Sequence, residues 1–304
     1  MGLKEMKDLL IGKIDEEYII ENVPMAEHSS FKAGGNADLM VLPQSIDQLK
    51  EVLQILAGCD YPYMILGNGS NILVRDGGYR GIMVKMGSAF DDVQVDGNRV
   101  VCGAGALLSV AAKTAAAAGL AGLEFASGIP GSIGGAVFMN AGAYDGEMKF
   151  VLEKARVISK DGSTDRYMTP DELDMGYRHT VLHETGDIVA EAVFKLEEGD
   201  IDEIKAKIAD LTQRRNSKQP VSFPSAGSFF KRPTGYFAGK LVQDAGLKGL
   251  TVGGAQVSEL HSGFVINIGG ATATDILQLM EIVQQTVMDK FGVMLEPEVR
   301  IIGE

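Results

Sequence analysis

The sequence is poor in cysteine: only Cys59 and Cys102 occur among its 304 residues. Two cysteines do not indicate a disulfide framework, and nothing in the sequence brings these two together. A chain with so little cysteine is typical of a reducing compartment, so the expected location is the cytoplasm.

Long hydrophobic runs and an excess of positive charge are also absent from the sequence. No apolar stretch approaches the ~20 residues that cross a membrane, and residues 1–20 lack the unbroken apolar core of a signal peptide. The net charge of −13 speaks against broad binding to nucleic acids or anionic membranes. We therefore expect no nucleic-acid partner and no membrane insertion.

Glycine is abundant instead: the chain has 38 glycines, against an average near ~7%. They cluster at 67–78, 103–105, 128–146 and 227–254. Such clusters form tight turns or let the backbone approach a ligand closely.

The glycine clusters do not match the common nucleotide-binding fingerprints. The pattern G-x-G-x-x-G fails at position 67, where the sixth residue is Ile72, and at position 103, where it is Leu108. The patterns G-x-x-x-x-G-K-[ST] and G-x-S-x-G do not occur. A Rossmann dinucleotide site, a P-loop and an α/β-hydrolase are therefore not expected.

Apolar periodicity and turn signals predict a mixture of helices and strands. We expect helices over 3–12, 45–59, 107–119, 201–215, 236–244 and 272–290, and strands over 37–43, 63–67, 81–86, 99–105, 187–199, 263–268 and 298–302. Asp161-Gly162 predicts the turn of a hairpin within 154–168. Because part of the strands come as hairpins, the predicted fold class is α+β, with a domain boundary within 196–220.

Two runs of small residues are candidates for binding phosphate. Residues 67–71 read Gly-Asn-Gly-Ser-Asn directly after a predicted strand, and residues 128–143 read GIPGSIGGAVFMNAGA. Small residues let several backbone N–H groups point into one concavity, and Ser132 and Asn140 can add side-chain donors. Any single glycine here is more often a plain turn, but two such runs can share the long diphosphate of a dinucleotide.

A basic segment lies within this acidic chain. Residues 211–250 contain one acid, Asp244, and carry a net charge of +6. The basic residues of this segment are Arg214, Arg215, Lys218, Lys231, Arg232, Lys240 and Lys248. The segment predicts an anionic small ligand, and a solvated helix face is the alternative.

An ordered series of motifs resembles the UDP-N-acetylenolpyruvoylglucosamine reductases of bacterial cell-wall synthesis over nearly the whole chain. The motifs are FKAGGNADLMVLP (31–43), ILGNGSNILVRDGGYRGIMV (65–84), GLEFASGIPGSIGGAVFMNAGAYDGE (122–147), GYRHT (176–180), RRNSKQP (214–220), AGSFFKRP (226–233), GYFAGKLVQDAGLKG (235–249), GGAQVSELHSGFVIN (253–267) and LEPEVRIIG (295–303). Because Glu191 and Arg214 leave no room for an extra insertion between them, the chain resembles the shorter, second type of this family.

The resemblance implies an FAD-binding domain of the vanillyl-alcohol-oxidase type and a smaller α+β substrate-binding domain. The FAD-binding region would take residues 1–200, as two α+β subdomains divided near 90. The substrate-binding domain would take 201–304, with its last strand, about 295–303, returning to the FAD-binding region. NADPH would reduce the FAD, and the enolpyruvyl double bond of UDP-N-acetylglucosamine enolpyruvate would be reduced to give UDP-N-acetylmuramate for peptidoglycan synthesis.

The resemblance also implies which residues contact the cofactor and the substrate. The implied FAD contacts are Gly67, Asn68, Gly69, Ser70, Asn71, Gly128, Pro130, Gly131, Ser132, Gly134, Gly135, Asn140, Ala141 and Gly142. We expect the FAD to be non-covalent, because neither loop contains a His or Cys that could attach it. Lys218, Arg232 and Gln256 match positions that contact the nucleotide-sugar, although many family members have Asn in place of Arg232.

Three residues match the catalytic positions of the family. Ser228 would give a proton to the carbon next to the substrate carboxylate, while Arg178 and Glu298 would stabilise the enolic intermediate. Hydride addition leaves negative charge over that carboxylate, where an arginine makes a charge-assisted contact. Glu298 would have to be protonated, or share a proton, to favour this charge. A serine hydroxyl is a weak acid and suits only a strongly basic carbanion held within reach.

Other interpretations remain open at this stage. The chain could be another non-covalent FAD oxidoreductase of the same fold that acts on a sugar or an alcohol, or a nucleotide-sugar binding protein without catalysis. His179 and His183 have a spacing that metal ligands use, but the segment is turn-like and lacks H-E-x-x-H, so we expect no metal site.

Overall fold

The structure, a computed structural model, describes residues 2–304, which divide into two compact units. The first unit contains the residues up to Glu21, Leu39–Asn68 and Gly81–Arg214, and the second contains Asn22–Asp38, Gly69–Arg80 and Arg215–Glu304. Across residues 2–304 no helix is long and apolar enough to span a membrane.

Helices and strands alternate along the chain. The helices are α1 (Leu3–Ile11), α2 (Ile46–Gly58), α3 (Leu108–Ala117), α4 (Ile133–Phe138), α5 (Leu182–Thr185), α6 (Ile201–Lys218), α7 (Ala238–Asp244) and α8 (Ala273–Phe291). The strands are β1 (Ile19–Pro24), β2 (Asn36–Val41), β3 (Tyr63–Leu66), β4 (Ile72–Val74), β5 (Tyr79–Lys85), β6 (Val93–Asp96), β7 (Arg99–Gly103), β8 (Leu120–Ala121), β9 (Gly142–Ala143), β10 (Gly146–Glu147), β11 (Leu152–Ile158), β12 (Asp165–Met168), β13 (Ile188–Lys195), β14 (Glu197–Glu198), β15 (Thr251–Val252), β16 (Ala255–Val257), β17 (Val265–Asn267) and β18 (Arg300–Ile302).

The first unit is built on a five-stranded antiparallel sheet in the order β12-β11-β13-β7-β6. The central strand β13 is buried at most positions, and Phe194 from it lies in the core with Ala155 and Val157 from β11. Helix α4 packs on β13 and β7. Helix α4 belongs to the second glycine run, residues 128–143, so this part of the run packs against the buried strand β13.

The first glycine run, residues 67–71, follows β3, which is one of a parallel pair of strands. In the sheet of order β1-β2-β5-β3, strands β3 and β5 are parallel, with Tyr63 opposite Ile82 and Leu66 opposite Lys85. The chain leaves β3 after Leu66, so residues 67–71 form the turn at the carboxyl end of a strand, as the sequence predicts.

The second unit has a core of its own. Strands β15, β16 and β17 form an antiparallel sheet that contacts helix α8. Phe229, Val265, Leu279 and Val283 belong to this core. Strand β18 pairs in parallel with β4, so that Arg300 lies opposite Ile72.

Local signals in the sequence place the helix starts well. The Ser45 hydroxyl accepts a hydrogen bond from the Gln48 N–H at the start of α2. Thr272 and Asp275 form the capping box of α8, and Gly292 ends this helix in the left-handed region at φ 67°.

The structure differs from the predicted elements where glycine or short length hides the pattern. Residues 133–138, where no helix is predicted, form helix α4, because packing on the sheet outweighs the low helix propensity of Gly134 and Gly135. In the predicted helix 201–215, the apolar residue Ile201 is 40% exposed rather than buried. Short strands such as β4 and β16 lack any sequence periodicity of their own.

Candidate functional site

The two glycine runs meet in the first unit. A Cβ on Gly67 would lie 2.3 Å from Ser132 Oγ, and the Asn68 amide donates to the Pro130 carbonyl at 3.4 Å. The predicted cofactor residues of the two loops are thus neighbours at Gly67–Asn68 and Pro130–Ser132. Only glycine fits at position 67 without displacing the Ser132 hydroxyl.

The hydroxyl of Ser132 is the polar group that these loops leave without a protein contact. Ser132 is 3% exposed, and its Oγ has no hydrogen-bond partner within residues 2–304. A buried hydroxyl without a protein partner is costly, so a partner such as a bound ligand or an ordered water is expected there. A hydroxyl at the meeting point of two glycine-rich loops suits a phosphate oxygen of a dinucleotide such as FAD.

Other residues of the second run hold the loop in shape. A Cβ on Gly134 would lie 2.9 Å from the Ala104 Cβ, so this glycine lets α4 pack closely. The Gly131 carbonyl accepts a hydrogen bond from the Leu108 N–H at 3.0 Å, and Leu107 forms a β-bridge with Ser132. The loop is therefore fixed to the start of α3, which gives its backbone groups a defined direction.

The rest of the first run lies in the second unit. Gly69 has φ +64°, and a Cβ there would lie 1.9 Å from the His28 carbonyl, so a side chain is excluded at this position. The Gly69 carbonyl accepts the Ser30 N–H at 3.0 Å. Ser30 is a residue that the sequence motifs did not single out; its buried Oγ has no partner in the described part of the chain.

Asn71 connects the first run to the segment of Glu298. The Asn71 amide donates to the Glu298 carbonyl at 3.2 Å, and the Asn71 carbonyl accepts the Arg300 N–H at 3.0 Å. The side-chain amide of Asn71, a predicted cofactor residue, is therefore hydrogen-bonded to the backbone of Glu298, a predicted catalytic residue.

Ser228 and Glu298 flank one backbone ladder of the second unit. Phe229 donates its N–H to the Gly263 carbonyl at 2.9 Å and accepts the Glu298 N–H at 2.9 Å. Ser228 forms a β-bridge with Phe264 and is exposed, whereas Glu298 is half-buried. The structure thus brings these two predicted catalytic residues to either side of a single buried phenylalanine.

Arg178, the third predicted catalytic residue, lies in the first unit. It is half-buried in a tight turn with φ +54°, and its guanidinium lies 3.5 Å from the Gly142 carbonyl and 5.0 Å from the centroid of the Tyr177 ring. The carbonyl of Gly142, a predicted cofactor residue, is therefore in contact with the arginine.

Asn140 is completely buried and its polar atoms are engaged within the protein. Its amide donates to the Gly176 carbonyl at 2.8 Å and to Glu147 Oε2 at 3.0 Å, and its Oδ1 accepts the Lys149 N–H at 3.0 Å. The sequence predicts donation to the cofactor from this side chain, whereas the structure directs the amide to the turn of Arg178.

The predicted substrate residues lie on the surface of the second unit. Lys218 ends α6 and is exposed, and the Gln256 amide donates to Thr251 Oγ1 at 3.1 Å. Arg232 is exposed, with its guanidinium 3.9 Å from the centroid of the Phe237 ring. This stacking places the guanidinium against an aromatic face.

Part of the basic segment is neutralised by ion pairs. Arg214 pairs with Asp210 at 2.8 Å, Lys240 pairs with Asp244, and Lys231 pairs with Glu296. Exposed pairs of this kind contribute little to stability. The ion pairs of Arg214, Lys231 and Lys240 therefore reduce the positive charge that the basic segment offers to an anionic ligand.

The two histidines considered for a metal are engaged in packing. The rings of His179 and His183 stack with centroids 5.5 Å apart, and the His183 ring lies 4.0 Å from that of Phe138. Among residues 2–304 no group of three or more His, Cys, Asp or Glu residues is arranged to hold a metal ion.

Comparisons with known proteins agree with this geometry. Residues 219–302 match the family model of the UDP-N-acetylenolpyruvoylglucosamine reductase C-terminal domain, and residues 37–166 match that of an FAD binding domain. A UDP-N-acetylenolpyruvoylglucosamine reductase of Alkaliphilus oremlandii (strain OhILAs) is 52% identical over 291 residues, which are 96% of this chain and 95% of that protein.

Solved structures give the same result. The crystal structure of UDP-N-acetylenolpyruvylglucosamine reductase from Thermus caldophilus is similar with a TM-score of 0.80 at 36% identity, covering 92% of this chain and 97% of that chain. A VAO-type flavoprotein of Myceliophthora thermophila, at 12% identity and a TM-score of 0.50 over 65% of this chain and 48% of that chain, shares the fold alone.

These matches confirm the predicted resemblance, the α+β fold with an FAD-binding domain of this type, and FAD as the cofactor. They also confirm the prediction of an oxidoreductase over that of a binding protein without catalysis. The chain belongs to the UDP-N-acetylenolpyruvoylglucosamine reductase family.

Proposed function

We propose that this FAD-dependent reductase takes hydride from NADPH and reduces the enolpyruvyl double bond of UDP-N-acetylglucosamine enolpyruvate, giving UDP-N-acetylmuramate for peptidoglycan synthesis. The observation that carries the proposal is the meeting of two glycine runs around the unpartnered Ser132 hydroxyl, in a chain of this family. FAD, when bound, supplies the two-electron relay between NADPH and the nucleotide-sugar.

Both glycine runs would hold the FAD without a covalent bond. The Ser132 hydroxyl would donate to a phosphate oxygen, and backbone groups of the two loops would supply further donors. The proposed contacts are Gly67, Asn68, Gly69, Ser70, Asn71, Gly128, Pro130, Gly131, Ser132, Gly134, Gly135, Asn140, Ala141 and Gly142. The side-chain amides of Asn71 and Asn140 donate to the protein, so these two residues would contribute through their main chain.

The proton that completes the reduction would come from Ser228. Its exposed hydroxyl extends from a backbone that is fixed by hydrogen bonds of Phe229 on both sides. Such a rigid support suits a weak acid, because the proton must be held within reach of the substrate carbon. Loss of the Ser228 proton is followed by its return from solvent.

Negative charge on the substrate would be held by Arg178 and Glu298. The Arg178 guanidinium stabilises the carboxylate while the adjacent carbon carries charge, and it does so most strongly in the transition state. Glu298 would stabilise the same enolic intermediate. The half-buried setting of both side chains strengthens such contacts relative to those in water.

The nucleotide-sugar would be recognised by Lys218, Arg232 and Gln256. Arg232 suits a diphosphate because its planar fork of donors matches phosphate oxygens, even though many family members have Asn there. Its stacking on Phe237 pre-orients this fork.

We further propose that residues 1–200 act as the FAD-binding region, with subdomains divided near 90, and that 201–304 act as the substrate-binding domain whose last strand, about 295–303, returns to the FAD-binding region. The family models over 37–166 and 219–302 support this division. A cytoplasmic location is supported by Cys59 and Cys102, which are both free thiols.

The test is product analysis with the purified protein in deuterium oxide. With NADPH and the enolpyruvyl nucleotide-sugar, we expect the saturated lactyl ether, with deuterium on the carbon next to the carboxylate. If the nucleotide-sugar does not accelerate NADPH oxidation beyond the rate with oxygen alone, the proposal is wrong. Reduction of the flavin by a simple sugar or alcohol would instead support another oxidoreductase of this fold.

A further inference from the structure

The turn that carries Arg178 is closed by its own backbone. Gly176 donates its N–H to the His179 carbonyl at 3.0 Å, and His179 donates back to the Gly176 carbonyl at 3.3 Å. Tyr177 and Arg178 are the two central residues, and Arg178 has φ +54°. Arginine is disfavoured in this left-handed region, so the conformation persists only where the surroundings fix it.

Two buried side chains fix the turn, one at each end. The Asn140 amide donates to the Gly176 carbonyl at 2.8 Å, and the Thr180 hydroxyl donates to the Phe138 carbonyl at 2.8 Å. Asn140 and Thr180 are both 0% exposed. The turn is therefore tied at its first residue, and at the residue that follows its last one, to the segment 138–140 at the end of helix α4.

The position of Asn140 shows that its side chain has a role of its own. The Asn140 N–H donates to the Val137 carbonyl at 3.0 Å and the Ala141 N–H donates to the Ala136 carbonyl at 2.8 Å, which is the Schellman end of a helix. Asn140, at φ +42°, occupies the place that glycine usually takes. In a chain with 38 glycines, an asparagine here adds an amide where the backbone needs none.

Two further hydrogen bonds fix the orientation of the Asn140 side-chain amide. Its second amide hydrogen goes to Glu147 Oε2 at 3.0 Å, and its Oδ1 accepts the Lys149 N–H at 3.0 Å. With three hydrogen bonds to fixed partners, the side chain has one orientation. The other end of the arrangement is the Arg178 guanidinium, which reaches the Gly142 carbonyl two residues beyond Asn140.

We propose that Asn140 and Thr180 are positioning residues that hold the turn of Arg178 in the orientation needed to receive the substrate carboxylate. The inference rests on the proposed function, in which Arg178 stabilises the charge that hydride addition creates. It assigns the Asn140 side chain to the arginine turn, whereas cofactor contacts remain with neighbouring groups such as the Ser132 hydroxyl. One residue inside the run 128–143 and one residue beyond it thereby hold the group that meets the substrate.

The test compares three variants of the full-length, FAD-loaded protein. Asn140→Gly removes the amide and suits the left-handed backbone, Thr180→Val removes the hydroxyl at nearly constant volume, and Thr180→Ser keeps the hydroxyl as the matched control. For Thr180→Val we expect an unchanged rate of flavin reduction by NADPH. Asn140→Gly is judged by reoxidation and by hydrogen exchange alone, because the main chain of Asn140 is among the proposed FAD contacts. Reoxidation by saturating enolpyruvyl nucleotide-sugar should slow by about tenfold to a hundredfold, the usual effect of a small misplacement of a catalytic group. The substrate Kd should change much less than this rate.

A second readout is independent of activity. Hydrogen–deuterium exchange of the peptide around residues 174–181 should accelerate in Asn140→Gly and Thr180→Val and stay at the wild-type rate in Thr180→Ser. An unchanged reoxidation rate in Thr180→Val, or equal slowing of both half-reactions with loss of FAD in both variants, would overturn the positioning role. Weakened FAD binding with a normal exchange rate would assign Asn140 to the cofactor instead.

The wild-type protein in the same experiment separates this inference from the proposed function. If its reduced flavin is not reoxidised by the enolpyruvyl nucleotide-sugar, the proposed function fails. If the wild type reacts and the variants match it, only the positioning role of Asn140 and Thr180 fails.

Discussion

At the scale of single residues, the cofactor loops combine one open donor with donors that are already engaged. Ser132 keeps its buried hydroxyl without a partner within residues 2–304, whereas Asn71 and Asn140 give their amides to backbone carbonyls of Glu298 and Gly176. The open group suits a ligand, and the engaged groups fix the backbone around it. Substitutions at these positions should therefore separate cofactor binding from substrate chemistry.

Gly67→Ala should weaken FAD binding without unfolding the protein. The new Cβ would lie 2.3 Å from Ser132 Oγ, a side-chain atom that can move away by rotation. The hydroxyl would then lose its direction toward the phosphate. We expect the FAD dissociation constant to rise by about tenfold to a hundredfold, because a hydrogen bond to a charged group contributes roughly 1.5–3 kcal/mol. Fluorescence titration of the apoprotein measures this constant, and thermal unfolding checks the fold.

The matched control for this change is Gly58→Ala, at the last residue of α2. A Cβ there meets nothing within 4 Å, so FAD binding should stay unchanged and stability should be kept or slightly raised. If Gly67→Ala binds FAD as tightly as Gly58→Ala does, the Ser132 hydroxyl does not contact the cofactor.

Ser228→Ala should leave flavin reduction by NADPH intact and slow reoxidation by the nucleotide-sugar. General acid catalysis by a positioned group is worth about 10²–10⁴-fold, so a loss in that range is expected for the second half-reaction. Ser222→Ala, an exposed serine of the same turn-rich stretch, is the control and should behave as the wild type. Equal rates for Ser228→Ala and Ser222→Ala in rapid-mixing experiments would remove Ser228 from the proton-donor role.

The sequence predicts the identity of these residues better than their contacts. The motif around Ser132 marks it as a donor, and the structure leaves its hydroxyl available. The amide of Asn140 reaches a carbonyl 36 residues away and that of Asn71 one 227 residues away. Partners at such separations are decided by the tertiary fold, which no local pattern encodes.

At the scale of elements, helix starts also show that local sequence predicts nearby hydrogen-bond partners but not distant ones. Ser45 and Thr272 cap their helices through partners three residues away, and both starts follow from the sequence. Asp76 also caps α8: its carboxylate accepts the N–H groups of Ala273 and Thr274 and the Thr274 hydroxyl, at 2.8, 2.8 and 2.6 Å. This second cap comes from 197 and 198 residues away in the chain, so the sequence gives no sign of it.

Asp76→Ala should destabilise the second unit by about 1–2 kcal/mol, the upper part of the range for loss of a helix cap. Burial raises the pKa of Asp76, but the hydrogen bonds from Thr274 and Ala273 outweigh it and hold this pKa below the ordinary 3.8. Because the folded protein favours the charged form, the stabilisation is complete well above pH 3.8 and is lost as the pH falls through the lower, folded-state pKa.

Thermal unfolding of wild type and variant over a series of pH values tests this account of Asp76. The gap between the two unfolding temperatures should be widest near neutral pH and should shrink on acidification below pH 3.8. Asp76→Asn keeps one acceptor oxygen, so at neutral pH its unfolding temperature should lie between those of the wild type and Asp76→Ala. A gap that does not depend on pH would show that the charge of Asp76 plays no part in the cap.

At the scale of the whole molecule, composition and motif order predict more than local periodicity does. The α+β class, the FAD cofactor and the family are confirmed, because they depend on the order of motifs along nearly the whole chain. Helix α4 and the short strands are missed, because packing rather than local preference creates them. The roles of Arg178, Ser228 and Glu298 stay predictions, which only the chemistry of the molecule tests.

The most direct test of the central claim follows the flavin of the wild-type protein through both half-reactions in a stopped-flow instrument without oxygen. NADPH should bleach the flavin absorbance, and subsequent UDP-N-acetylglucosamine enolpyruvate should restore it with one equivalent per flavin. A flavin that stays bleached until oxygen is admitted would contradict the account.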